Sequence, residues 1–192
     1  EELRRTNLGE RTWTHPQWIP VGYAVNGADC FDAGLFGVGA AEATLMDPQH
    51  RLFLQEAWSA CESAGRAPRG GSDPDDLDPD TGVFAGCGID GYLVHHLKGG
   101  GLTDPLNPGR LFLTETGNEK DYIATRVAYA LDVNGPAMTV NSACSTGLVA
   151  LSQATAAMRS GRCGAAIAGA ASVTFPNLGY RYDPGLMFSP DG

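Results

Sequence analysis

Ala137-Met138-Thr139-Val140-Asn141-Ser142-Ala143-Cys144-Ser145-Thr146-Gly147 begins as a short, partly β-branched run, turns through small polar residues and enters an alanine-rich stretch ending near Ser160. The first four residues suit a pleated, half-buried surface. In the stretch from Ser145 to Ser160, Leu148, Leu151, Ala154 and Met158 recur at the spacing of one helix face. Alanine surrounds that stripe, which predicts a helix buried between layers rather than one on a wet surface. Ala165 to Val173 then supplies an apolar run of strand length. The order is strand, turn, helix, strand, and alternation of this kind predicts an α/β fold.

Working outward, Asp47-Pro48-Gln49-His50 opens a helix: Asp is a good N-cap, and Pro at the first helical position gives up an N–H that would have no partner there. Phe53, Ala57, Ala60 and Ala64, flanked by Leu54, Trp58 and Cys61, give it one apolar face, and Gly65 is placed to end it. Thr81-Gly82-Val83-Phe84-Ala85 reads as a short buried strand, followed by a short helix around Tyr92 to Leu97 and a Gly/Pro-rich connection from Gly99 to Gly109. Glu119 to Leu131 is a second helix, apolar at Tyr122, Val127, Ala130 and Leu131 and broken by Asn134-Gly135-Pro136. Residues 1–40, with Trp13, Trp18, Phe31 and Phe36 among glycines and prolines, sustain neither period and predict loop with short helical turns. Arg69 to Asp80 predicts a solvated loop, and Phe175 to Gly192 predicts loop throughout.

The 192 residues, 43% hydrophobic and 18% charged, make one domain or part of a larger one and exclude intrinsic disorder. The 26 glycines follow no repeat, which excludes collagen-like and solenoid organisation. A formal charge of −9, with five acids in one stretch (Asp73, Asp75, Asp76, Asp78, Asp80) and no basic cluster, disfavours nucleic acid and anionic membrane surfaces. No apolar run reaches the ~18 residues of a membrane span and no leader opens the chain, so a cytoplasmic protein is expected. Cys30, Cys61, Cys87, Cys144 and Cys163 are odd in number and hold no CxxC pair, which argues against a disulfide framework and against a metal site.

Three features carry candidate chemistry. Gly86-x-Gly88-x-x-Gly91 follows a strand and precedes a helix, matching the dinucleotide-binding fingerprint in form, but the second strand and acidic residue that fingerprint needs fall in Gly/Pro loop. The four histidines lack ligand spacing: His95 and His96 are adjacent, and His15 and His50 have no partner motif, so structural roles are expected for all four. Cys144 differs, because it stands where a strand turns through small residues into a helix. There the helix dipole and free backbone N–H groups favour a thiolate and can face an oxyanion growing on a thioester carbonyl. Spacing alone leaves two readings open, this one and a buried, inert cysteine on a capping turn.

These residues, with others along the chain, carry a family resemblance. Asp47-Pro48-Gln49-His50-Arg51-Leu52-Phe53-Leu54 through Trp58 to Glu62-Ser63-Ala64-Gly65, Gly82-Val83-Phe84-Ala85-Gly86, and Gly117-Asn118-Glu119-Lys120-Asp121-Tyr122 with Ala124-Thr125-Arg126-Val127 form its first part. Gly135-Pro136, Ala143-Cys144-Ser145-Thr146 with Leu148-Val149-Ala150, Ala168-Gly169-Ala170 and Phe188-Ser189-Pro190-Asp191-Gly192 complete it. Together they resemble the β-ketoacyl synthase (ketosynthase) domains of modular type I polyketide synthases, members of the thiolase superfamily.

The resemblance implies a thiolase-like layered α/β/α/β/α fold of two similar halves, with residues 1–192 as a partial domain: the N-terminal half, without the family's first strand and C-terminal half. It implies that Cys144 is the acyl-accepting nucleophile, its backbone N–H in the oxyanion hole, with Ser142, Ala143, Ser145 and Thr146 around the substrate. The acyl chain would arrive on the 4'-phosphopantetheine arm of an acyl carrier protein and condense with malonyl on a carrier protein after loss of carbon dioxide. It further implies a homodimer, with the strand Ala137 to Val140 pairing across the two-fold axis and Gly117 to Thr125 near that interface and the acyl pocket. The wording of that segment and of Gly179-Tyr180-Arg181-Tyr182 resembles hybrid or trans-acyltransferase assembly lines. Asn141, Ser142 and Gly147 depart from the usual Asp or Gln, Thr and Ser; Ser142 keeps a hydroxyl, and Gly147 loosens the first helical turn by about 1 kcal/mol at most. The family's two histidine motifs are not among these residues, so the 192 residues alone are expected not to condense substrates. Two alternatives stand beside this: a non-condensing or purely structural ketosynthase-like module that holds or passes acyl chains or only dimerises, and a dinucleotide-binding oxidoreductase built on Gly86, Gly88 and Gly91.

Overall fold

The computed structural model describes residues 9–68, 75–175 and 179–192. Short elements open the chain: α1 (Glu10–Trp13), β1 (Trp18–Ile19) and α2 (Ala40–Leu45), separated by loop as the sequence predicts. The Asp47 side chain accepts a hydrogen bond from the Gln49 N–H and caps α3 (Pro48–Ser63), with Pro48 at its first position. Gly65, at φ +68°, turns the chain away from it.

Three parallel strands form the central sheet: β2 (Gly82–Cys87) lies between β3 (Ala137–Thr139) and β4 (Ala166–Ala171). Val83 pairs with both Ala137 and Ile167, and Ala85 with both Thr139 and Gly169. Every residue of β2 is buried, the mark of a strand covered on both faces. On one face, Val83, Ala85 and Cys87 pack against Phe53, Leu54, Ala57 and Cys61 of α3 and Ile123, Ala124, Val127 and Leu131 of α5 (Ile123–Leu131). On the other, Phe84 packs against Ala150, Ala154 and Ala157 of α6 (Thr146–Arg159). Each large apolar side chain so buried contributes about 1.5–3 kcal/mol. The result is helix, sheet, helix, with β3, α6 and β4 crossing over β2.

Several expectations change on contact with the structure. α6 does not present Leu148, Leu151 and Met158 to the sheet; they are 75%, 55% and 45% exposed, and the buried face is Thr146, Ala150, Ala154 and Ala157. Over Phe84, Val140, Ala166 and Ala168 the helix sets the methyl groups of Ala150, Ala154 and Ala157. Its other face is open among the described residues, so the expected burial between two layers is met on one side only. The Gly/Pro connection after Gly99 ends sooner than expected, because Asn107 accepts from Arg110 N–H and, with Pro108, starts α4 (Pro108–Asn118). The Glu119 to Leu131 helix divides into a 3₁₀ turn (Lys120–Tyr122) and α5, which ends at left-handed Asp132 before Asn134 is reached. Tyr92–Lys98 is a π-helix, and the terminal loop contains β5 (Tyr180–Arg181), antiparallel to β1. Asp73 lies outside the described residues; Asp75, Asp78 and Asp80 are exposed as expected, while buried Leu77 pins their segment to the core.

Candidate active site

The nucleophile candidate stands where β3 gives way to α6, at the carboxyl end of the parallel sheet. Val140 N–H still reaches Ala85 O at 2.8 Å, and beyond it the chain leaves the ladder. Ser142 has φ −140°, Ala143 swings to φ +52°, and Ala143–Ser145 form one 3₁₀ turn before Thr146 starts α6. A left-handed residue other than glycine costs about 1–2 kcal/mol, so this turn is strained and must be held. Thr146 Oγ1 donates to Ala143 O at 2.8 Å and accepts from Ser142 N–H at 3.0 Å; Ser145 Oγ donates to Ser142 O at 2.8 Å. Ser142 Oγ is buried without a partner among the described residues.

Cys144 is exposed at the crest of this turn, which removes the buried-cysteine reading. Cys61, Cys87 and Cys163 are buried, and Cys30 is exposed in a loop. Burial pushes the Cys87 thiol up to about 12, with the Asp47 and Asp90 carboxyls adding to the effect, and burial raises Cys61 as well. Both are held as unreactive thiols. Of the residues named with Cys144, Ser142, Ala143 and Ser145 lie in the same turn, whereas the Thr146 side chain is buried beneath it.

The glycine motif has a packing explanation. A Cβ on Gly86 would strike the Val140 carbonyl and the Thr146 methyl; one on Gly88 would meet Gln49 Oε1 at 2.8 Å; one on Gly91 would meet Phe175 O at 2.6 Å. The space a pyrophosphate would need is filled by protein, so these glycines serve close approach rather than a phosphate cradle.

Three histidines have contacts within the protein, and His95 Nδ1 is buried without a partner among the described residues. His50 is buried, held down at about 4 chiefly by burial and then by the Arg126 charge, and its Nε2 lies 4.0 Å from Cys87 Sγ. The His96 ring lies tilted against Tyr92 and edge-on to Phe175, and His15 Nδ1 accepts from Gln17 N–H. No group of three or more metal-ligating side chains occurs among the described residues.

Gln49 is legible in the sequence as part of a helix start, but its bonding role is not. Its amide is buried, Oε1 accepting from Gly88 N–H at 2.8 Å and Val173 N–H at 3.2 Å while Nε2 donates to Ile89 O at 3.2 Å. It joins α3 to the chain leaving β2 and β4. A glutamine near a helix start is the only signal, and it resembles any exposed one.

The family model of the β-ketoacyl synthase N-terminal domain matches residues 9–192. The chain belongs to the β-ketoacyl synthase family. This ketosynthase segment is 38% identical over its whole length to a phenolphthiocerol/phthiocerol polyketide synthase chain of Mycobacterium tuberculosis, of which it covers 13%. It is 41% identical, over 88% of its length, to the mycoketide-CoA synthase of the same species, of which it covers 4%. Among solved structures it is similar to ketosynthase twelve of the bacillaene polyketide synthase of Bacillus amyloliquefaciens, with 28% identity and a TM-score of 0.78 over 96% of this chain and 31% of that one. Its fold is the thiolase-like α/β fold of those ketosynthases. The chain therefore spans a small part of the polyketide synthases it matches. No helix among the described residues is long and apolar enough to cross a membrane.

Proposed function

We propose that the chain is the N-terminal, nucleophile-bearing part of a condensing ketosynthase in a polyketide assembly line. The observation that carries this is the exposed Cys144 on a strained strand-to-helix turn, in a chain of this family. The Cys144 thiolate attacks the carbonyl of an acyl thioester borne on the 4'-phosphopantetheine arm of an acyl carrier protein. The Cys144 N–H steadies the oxyanion, the bond from the carbonyl carbon to the arm's sulfur breaks, the arm leaves as a thiolate that takes a proton from water, and the acyl group stays on the Cys144 sulfur. Malonyl on a carrier protein then loses carbon dioxide, its α-carbon attacks the Cys144 thioester, and the cysteine leaves, giving a β-ketoacyl thioester. Ser142, Ala143 and Ser145 border the arm's approach, and Thr146 supports them from below.

In this reading the protein is cytoplasmic and forms a homodimer; the dimer is supported by the place of β3 at one edge of the sheet with Met138 44% exposed. Sedimentation of the full-length protein as a single copy would overturn that part. The 192 residues alone do not condense, because the family's two histidine motifs are not among them; carbon dioxide release from malonyl carrier protein by these residues would contradict this.

The direct test is Cys144→Ala in the full-length protein. Acyl transfer from carrier protein and β-ketoacyl formation should both vanish while the fold persists. Condensation undiminished in the variant overturns the proposal, and wild-type transfer without condensation replaces it with a module that only holds acyl chains.

A further inference from the structure

We infer that Thr146 is a positioning residue for Cys144, acting as a lock on the left-handed Ala143 rather than as a substrate contact; this rests on the reading of Cys144 as nucleophile. Both ends of the side chain are committed within the protein. The hydroxyl bridges the two sides of the turn, donating to Ala143 O at 2.8 Å and accepting from Ser142 N–H at 3.0 Å, while Thr146 N–H also turns toward Ala143 O. The methyl sits in the space that Gly86 leaves open on β2, where a Cβ would collide with it. Thr146 is 6% exposed, so neither group is presented to a ligand.

This seat explains two features at once. Ala143 holds φ +52° with no glycine to ease it, and the Thr146 hydroxyl is the side-chain group that bonds on both sides of that residue. Gly86, the first glycine of the motif that resembles a nucleotide fingerprint, is instead the floor on which the lock rests. The ladder bond from Val140 N–H to Ala85 O ties floor and turn to the same sheet position. Without the hydroxyl the turn relaxes toward unstrained backbone, and Cys144, one residue on, leaves the place where its sulfur and N–H meet a thioester.

The test is made in the full-length protein with Thr146→Val, of the same shape without the hydroxyl, and Thr146→Ser, which keeps the hydroxyl. Iodoacetamide alkylation, mapped by peptide and followed across pH, reads the thiol itself; acyl transfer from a short acyl thioester reads its chemistry. Valine should slow both at Cys144 by about tenfold, the rate equivalent of the strain the hydroxyl restrains, and serine should recover most of the loss. Cys30 alkylation should be unchanged, with Cys61, Cys87 and Cys163 still protected, which a general loss of structure would not give. Equal Cys144 rates in wild type and valine variant overturn the lock. Should valine expose the buried cysteines, Thr146→Ser against Thr146→Ala reads the same hydroxyl, and equal rates there overturn it too. Wild-type Cys144 that alkylates in a hydroxyl-dependent way but takes no acyl group leaves the lock standing and removes the ketosynthase reading. Acylation that is equal in all variants does the reverse.

Discussion

At position 147 a glycine occupies the second residue of α6, and nothing crowds it: a Cβ there would meet only the Ala170 methyl, at 3.9 Å. Gly147→Ala should therefore stabilise the fold by about 0.5–1 kcal/mol, through helix propensity and a less free unfolded chain. Denaturant titration checks this, and a loss of stability would mean that α6 starts in some other way. Asp47 gives the residue-scale pH dependence. Burial is the largest cause holding it up at about 6 from its ordinary 3.8, so the folded chain takes its proton before the unfolded chain does. The group thus favours folding below about 3.8 and loses that contribution as pH rises through about 6. Asp47→Asn keeps a capping oxygen without the charge and should be more stable than wild type at pH 7, on the order of 2 kcal/mol, with the advantage gone by pH 4. An advantage equal at both pH values would contradict the burial argument. At this scale the position of Cys144 is legible in the sequence, because a cysteine among small residues between strand and helix has few structural meanings. The left-handed Ala143 is not legible, since alanine carries no mark of positive φ, and neither is the inward turn of the Thr146 hydroxyl.

Gln49 sets the element-scale prediction, because one amide joins α3 to the segments leaving β2 and β4. Gln49→Leu fills the same volume and leaves three partly buried backbone groups, the Gly88 and Val173 N–H and the Ile89 C=O, without their amide partner, so a loss of about 2 kcal/mol is expected by denaturant titration. A loss under ~1 kcal/mol would mean those groups find water. The elements that the sequence makes legible are those with strong local signals. Asp47-Pro48 marks the start of α3, and the runs read as strands at Thr81 to Ala85 and Ala165 to Val173 overlap the observed Gly82–Cys87 and Ala166–Ala171, with ends shifted by one or two residues. α4 is not legible by periodicity, because Leu111 and Phe112 lie exposed; only Asn107-Pro108 marks it. The orientation of α6 is misread because leucine outweighs alanine in any count of apolar faces. Here the alanines pack on Phe84 of the sheet, and the larger residues are turned outward.

On the scale of the molecule, helices on both faces of a parallel sheet bring the carboxyl ends of β2, β3 and β4 together, and the Cys144 turn is built there. Burial separates the five cysteines: three are in the core, Cys30 lies in a loop, and Cys144 alone is exposed on a strained turn at the head of a helix. The central claim is that this placement, and not exposure as such, makes Cys144 the acyl acceptor. Exposed Cys30 is the internal control. The measurement is peptide-mapped mass spectrometry of the full-length protein after brief exposure to a short acyl thioester. The account predicts acylation at Cys144 with Cys30, Cys61, Cys87 and Cys163 unlabelled; a folded protein that labels Cys30 as readily as Cys144, or leaves Cys144 free, would contradict it.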